Sequence, residues 1–188
     1  MRNIPWRMRG MTLIELLLVL VILAISFEFS IPGMSGLLQS NSKSQLVNTY
    51  LGAFALTRSH AVTTKRISAI CPLDEDNECT DDWNLPVSVF PDSDRDGKPD
   101  GNEIWRVITK DSDRFRVHSR TAGSGSFHFS PYGIVHGAPG SLVICPDDIS
   151  TGHMTYIAVS RGGRARKVSD DDGDGEIRLS WGGKITCP

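Results

Sequence analysis

Between Asp92 and Glu103 the stretch DSDRDGKPDGNE sets Asp92, Asp94, Asp96, Asp100 and Glu103 at positions 1, 3, 5, 9 and 12 of a loop, with Gly97 at the sixth. Oxygens at alternating positions of a tight turn converge on one hard cation, and a glycine lets the chain turn, so the chemistry this spacing suits is calcium binding. The flanks read as strands, which excludes a helix–loop–helix calcium pair. A solvated acidic turn, in which Asp and Gly are simply turn formers, accounts for the same residues and stays open beside it. A second run, Asp170-Asp171-Asp172-Gly173-Asp174-Gly175, has Trp181 where a twelfth-position acid belongs and reads as a turn.

A second candidate is basic. SRGGRARK places Arg161, Arg164, Arg166 and Lys167 within seven residues, with no acid before Asp170. Such a group can follow phosphates by charge-assisted, often bidentate hydrogen bonds, without reading bases. Strand alternation would put Arg164 and Arg166 on one face. The plainer reading is a solvated hairpin. Arg106, Lys110, Arg114, Arg116 and Arg120 would extend the cluster, but Asp111 and Asp113 lie among them. The chain has a formal charge of −2. Without its first ten residues, which hold Arg2, Arg7 and Arg9, it has 17 basic against 22 acidic residues, a net of −5. Nucleic-acid binding over the whole surface is thereby disfavoured, and any such binding must be local.

Catalytic constellations are missing from the sequence. It has no G-x-S-x-G elbow, H-E-x-x-H, P-loop or dinucleotide fingerprint, and His60, His118, His128, His136 and His153 show no ligand spacing. No enzyme and no small-molecule substrate is expected. Cys71, Cys79, Cys145 and Cys187 form an even set without a C-x-x-C pair, which favours two disulfides over zinc and implies an oxidising compartment. Three connectivities are open to four cysteines. The expected one joins Cys71 to Cys79 around a short acidic loop and Cys145 to Cys187, which ties the C-terminal end to an inner strand.

From Met11 to Ile31 the chain is almost wholly apolar, broken by Glu15 and Glu28, and Pro32-Gly33 follows. That length spans a bilayer, and the short basic MRNIPWRMRG before it stays cytoplasmic by the positive-inside rule. A secretory signal has an uncharged apolar core; here Glu15 sits in the first turns. A carboxylate in hydrocarbon costs several kcal/mol, so it needs a partner, and the natural one is an amine.

The segment RGMTLIELLLVLVILAI resembles the signal of type IV pilins and type II secretion pseudopilins. The resemblance implies that prepilin peptidase cuts after Gly10, that Met11 becomes the N-methylated first residue, and that Glu15 neutralises the amine of a neighbouring subunit in a filament. The family usually has Phe where Met11 stands; another large apolar residue can occupy that site. Pro32 corresponds to a proline that breaks the membrane helix in pilins. Further along, Cys71, Trp83, Val87 to Phe90, Asp92 to Glu103, Ile104 to Arg106, Phe129 to Gly133 and Gly163 to Arg166 follow in the order of the type II secretion H pseudopilins and the FimT and FimU minor pilins (the GspH, FimT and FimU group). This resemblance implies an inner-membrane, single-pass protein with a periplasmic head, partnered by other pilins or pseudopilins. In FimT pilins a G-R-x-R motif is associated with binding incoming DNA, and Gly163-Arg164-Ala165-Arg166 matches it; double-stranded DNA is the partner this would imply.

These features require elements to position them. Val47, Tyr50, Leu51, Phe54, Ala61 and Val62 recur at helical spacing in a pattern running from about Leu37 to Thr64. Strands are expected at 67–70, 85–90, 103–108, 114–118, 126–130, 141–145, 154–160 and 176–181, in an antiparallel, hairpin-connected sheet. The expected architecture is α+β, the pilin fold. It comprises a leader peptide (1–10), a membrane helix (11–31), an amphipathic helix (32–66) and a β-rich head (67–188).

Overall fold

The computed structural model describes residues 12–110, 114–121, 125–137, 139–148, 154–170, 172–179 and 182–188, and only the backbone of 27–39. One helix, α1, runs over Leu13–Thr64. At its start Thr12 Oγ1 accepts the Glu15 amide at 3.3 Å. Thr12 and Glu15 thus have the S/T-x-x-E spacing of a capping box. The backbone stays helical through Pro32 and Gly33, where the sequence suggests a break. A proline removes one amide donor from the ladder, and that loss bends a long helix more readily than it ends it. The end comes at Lys65, whose φ of 57° is a left-handed stop.

The chain divides into two units, 1–39 and 40–188. In the first, every described side chain from Thr12 to Ser26 is exposed. Among the described residues no helix is long and apolar enough to cross a membrane. Of the apolar run 11–31, Met11 and the side chains of 27–31 lie outside the described residues.

The second unit is built around the rest of α1. Val47, Tyr50, Phe54, Thr57 and Ala61, three or four residues apart, are buried, Leu51 is half-buried, and Val62 is exposed. Ten antiparallel strands follow among the described residues: β1 Ser68–Pro72, β2 Val87–Pro91, β3 Arg106–Ile108, β4 Phe115–Arg120, β5 Phe127–Phe129, β6 Gly140–Pro146, β7 Thr155–Val159, β8 Ala165–Ser169, β9 Glu176–Arg178 and β10 Lys184–Thr186. They form two four-stranded sheets, β3-β2-β1-β5 and β4-β6-β7-β8, and the pair β10-β9. The eight expected strands are present within a few residues, and β8 and β10 are additional.

One core joins α1 to both large sheets. At its centre Trp83 is fully buried among Tyr50, Phe54 and Phe127, and Phe54 meets Phe127 edge-on at 5.0 Å. The indole Nε1 donates to Gly125 O at 2.8 Å, so the one polar atom of that ring is satisfied. Truncating such an aromatic to alanine costs about 3–5 kcal/mol. A smaller cluster lies between Val143, Cys145 and Tyr156 of the second sheet and Ile177 and Ile185 of the β9–β10 hairpin. Both disulfides have the expected partners, Cys71 with Cys79 and Cys145 with Cys187.

Candidate functional site

The basic residues lie at the border of a sheet. β8 borders its sheet, and the turn from β7 into β8 is drawn tight by Ser160, whose amide donates to Arg164 O at 3.0 Å and whose Oγ accepts the Arg164 amide at 3.3 Å. Arg161, Arg164, Arg166 and Lys167 are all exposed. None of them pairs with an acid among the described residues. Gly163 is buried with a φ of +73°, and a Cβ there would lie 2.1 Å from Gly133 O. No larger residue fits that contact without moving the backbone. Arg58 of α1 closes the same point, its Nε donating to Gly133 O at 2.9 Å. The Phe129–Gly133 and Gly163–Arg166 segments, far apart in sequence, therefore meet backbone to backbone.

Sequence reasoning missed two cations on α1. Arg58 stands beside the turn, and Lys43 lies near Lys167; burial, then the Lys167 charge, lowers the Lys43 pKa below its ordinary value. Their signal was only two isolated cations in the later turns of a helix whose acids, Glu15 and Glu28, lie much earlier, with nothing local to indicate what they face. A groove of about 440 Å3 lies between α1 and the turn, lined by Leu51, Ala55, Arg58, Val62, Arg164 and Ala165 among others. Of the other suggested cations, Arg116 pairs with Asp147 at 3.0 Å, Lys110 Nζ donates to Phe115 O at 2.9 Å, Arg106 lies on β3 of the other sheet, and Arg120 lies on β4, at the border of its sheet opposite β8. Asp111 and Asp113 lie outside the described residues.

In the first acidic loop, Asp92, Asp94 and Asp100 each bring one carboxylate oxygen within 4.8 Å of the others. Asp96 and Glu103 stay outside that group. Asp92 is fully buried and accepts the amides of Asp96 at 3.1 Å and Gly97 at 3.2 Å, and His128 Nε2 lies 2.7 Å away. Asp100 accepts Ser93 Oγ at 2.7 Å and Arg66 at 2.8 Å. Burial alone would raise its pKa, but the hydrogen bonds from Ser93 and Arg66 outweigh that and hold the carboxyl below its ordinary value. Glu103 takes the Trp105 indole at 2.7 Å. A cation here would use Asp92, Asp94 and Asp100 and would compete with Arg66 for Asp100.

The second acidic run repeats the device. Asp170 is buried and accepts the amides of Gly173 at 2.9 Å and Gly175 at 3.0 Å, while Arg178 pairs with Asp172 at 3.1 Å and with Asp174. Its carboxylates at Asp170, Asp172 and Asp174 also converge, although no acid stands at the twelfth position. In both loops the leading aspartate is an anchor for the turn's own amides.

At the N-terminus Gly10 and Met11 lie outside the described residues. Glu15 is exposed on a surface of leucine, isoleucine and valine, and among the described residues nothing pairs with its carboxylate. His128 serves as the partner of Asp92, and His60 stacks on Trp105 at 4.2 Å. His153 lies outside the described residues.

An exposed apolar N-terminal helix and a head of antiparallel sheets wrapped on the helix's later turns define a pilin-like protein. Residues 46–163 match the family model for type II transport protein GspH, and residues 7–27 match the prokaryotic N-terminal methylation motif. The chain belongs to the GspH family. Its structure is similar to that of the type IV minor pilin FimU of Pseudomonas aeruginosa, with a TM-score of 0.57 at 16% identity over 71% of this chain and 96% of that one. The minor pseudopilin EpsH from the type 2 secretion system of Vibrio cholerae aligns with a TM-score of 0.49 at 12% identity, over 68% of this chain and 97% of that one. No curated protein matches the chain.

Proposed function

We propose that this chain is a minor subunit of a type IV pilus, cut after Gly10 by prepilin peptidase and methylated on Met11. It is held in the inner membrane by residues 11–31, with its head in the periplasm. The observation that carries this reading is the helix surface from Thr12 to Ser26: all of it is exposed, and apart from Thr12, Glu15 and Ser26 it is apolar. Such a surface needs lipid or neighbouring helices to cover it. Within that cover the Glu15 carboxylate needs a cation, and an N-terminal amine released by cleavage on an adjoining subunit supplies one. The two disulfides suit an oxidising compartment. The role is structural, assembly with other pilins, and no catalytic step is assigned. A subunit of a type II secretion pseudopilus would share all of these features.

The test is Gly10→Val. The precursor is expected to stay uncut, with intact mass including the first ten residues, and to remain in the membrane outside filaments. A Gly10→Val protein found trimmed and incorporated would remove the reading.

A second reading is favoured by the arginines of the β7–β8 turn, exposed and without an acidic partner among the described residues. On this reading the head also binds DNA, through Arg161, Arg164, Arg166 and Lys167 on phosphates. A basic group that served only solubility would tolerate interspersed acids, as the Arg106–Arg120 stretch does.

A further inference from the structure

Tyr132 is 86% exposed, the most exposed large apolar or aromatic side chain among the described residues. It stands at the tip of a turn closed by the Gly133 amide on Ser130 O at 2.8 Å. That turn is pinned on its far side by Arg58 on Gly133 O and by the Val135 amide on Arg161 O at 2.9 Å. Tyr132 precedes Gly133, Arg164 follows Gly163, and the two glycines are in backbone contact. The ring and the guanidinium group therefore start from one rigid junction. The ring has no part in the core, so packing does not explain an aromatic residue there. Exposed cations and an exposed aromatic ring rising from one pinned stretch of backbone suit an unpaired nucleotide strand: phosphates take the charge and bases take the flat surface. A duplex offers the phosphates, but its base faces are already stacked on one another.

We propose that this junction binds single-stranded nucleic acid, with Tyr132 as a platform on which a base stacks and Arg164 and Arg166 on the flanking phosphates. The proposal rests on the DNA reading above and narrows its ligand. The experiment is fluorescence anisotropy on the full chain in detergent micelles. Its probes are a labelled oligothymidylate, an abasic strand of equal length and a duplex, all at one salt concentration. The oligothymidylate is expected to bind tightest. Tyr132→Ala should weaken it about tenfold, towards the abasic strand, while Tyr132→Phe keeps it. Arg164→Ala with Arg166→Ala should weaken all three probes. If Tyr132→Ala leaves oligothymidylate binding unchanged while the arginine pair weakens every probe, stacking is refuted and the DNA reading survives. If the arginine pair changes nothing, both are refuted.

Discussion

Tyr50 shows how much one polar atom can matter in this core. Its ring is buried against Trp83, its hydroxyl donates to Trp83 O at 3.3 Å, and burial pushes its pKa up to about 12 from the ordinary 10.0. A raised pKa means that the folded state holds the proton more tightly than the unfolded chain does. The associated stability is fully present below pH 10 and is lost as pH rises towards 12. The loss is on the order of 2–3 kcal/mol. Alkaline denaturation followed by circular dichroism is therefore expected to steepen over that interval, and Tyr50→Phe to flatten it. The same pH profile in both proteins would show that the phenol is not what titrates. Asp92 makes a related point about reading residues singly. Its place at the head of an acidic run suggests a ligand, whereas its carboxylate holds the turn's amides and faces His128, partners that only the folded loop brings close.

At the scale of elements, the β9–β10 hairpin has little hold of its own. It is three residues a side and buries Ile177 and Ile185 on the second sheet, with Cys145–Cys187 closing a sequence separation of 42. A loop of that length is stabilised by about 4 kcal/mol when cross-linked. Replacing both cysteines by serine is expected to cost up to that amount. Amide exchange should accelerate at least tenfold in β9 and β10 while β1 and β2 stay protected; equal acceleration everywhere would mean that the bridge holds the whole head. Much of this architecture was legible. The α1 stripe recurs at the helical period, and strands such as β1, β2 and β6 are apolar runs set between turn residues. β8 was legible only as a basic hairpin face, because Arg166 and Lys167 obscure any apolar alternation, and β10 was not legible because three residues carry no period. The Arg58 clasp escaped notice because 75 residues separate its partners, and periodicity reports only on neighbours.

For the whole molecule, the order of weak signals said more than any one of them. A chain with an apolar stretch broken only by Glu15 and Glu28, followed by punctuated strands, has few ways to bury its residues, and the family match agrees with the one expected. What no linear pattern could convey is that the strands part into two sheets sharing one helix, which leaves β8 at a border. That border has a consequence for copies of the protein kept close together. The outer backbone groups of β8 are a template on which a like strand could zip, and Arg166 and Lys167 make two such borders repel. The repulsion weakens as the Debye length contracts, from about 10 Å at 0.1 M salt to about 3 Å at 1 M. Concentrated protein is therefore expected to stay dispersed at low ionic strength and to pair as salt is raised, with light scattering as the gauge. An Arg166→Ser, Lys167→Ser variant should pair even in dilute buffer. Indifference of both proteins to salt would mean that something other than charge keeps the border apart.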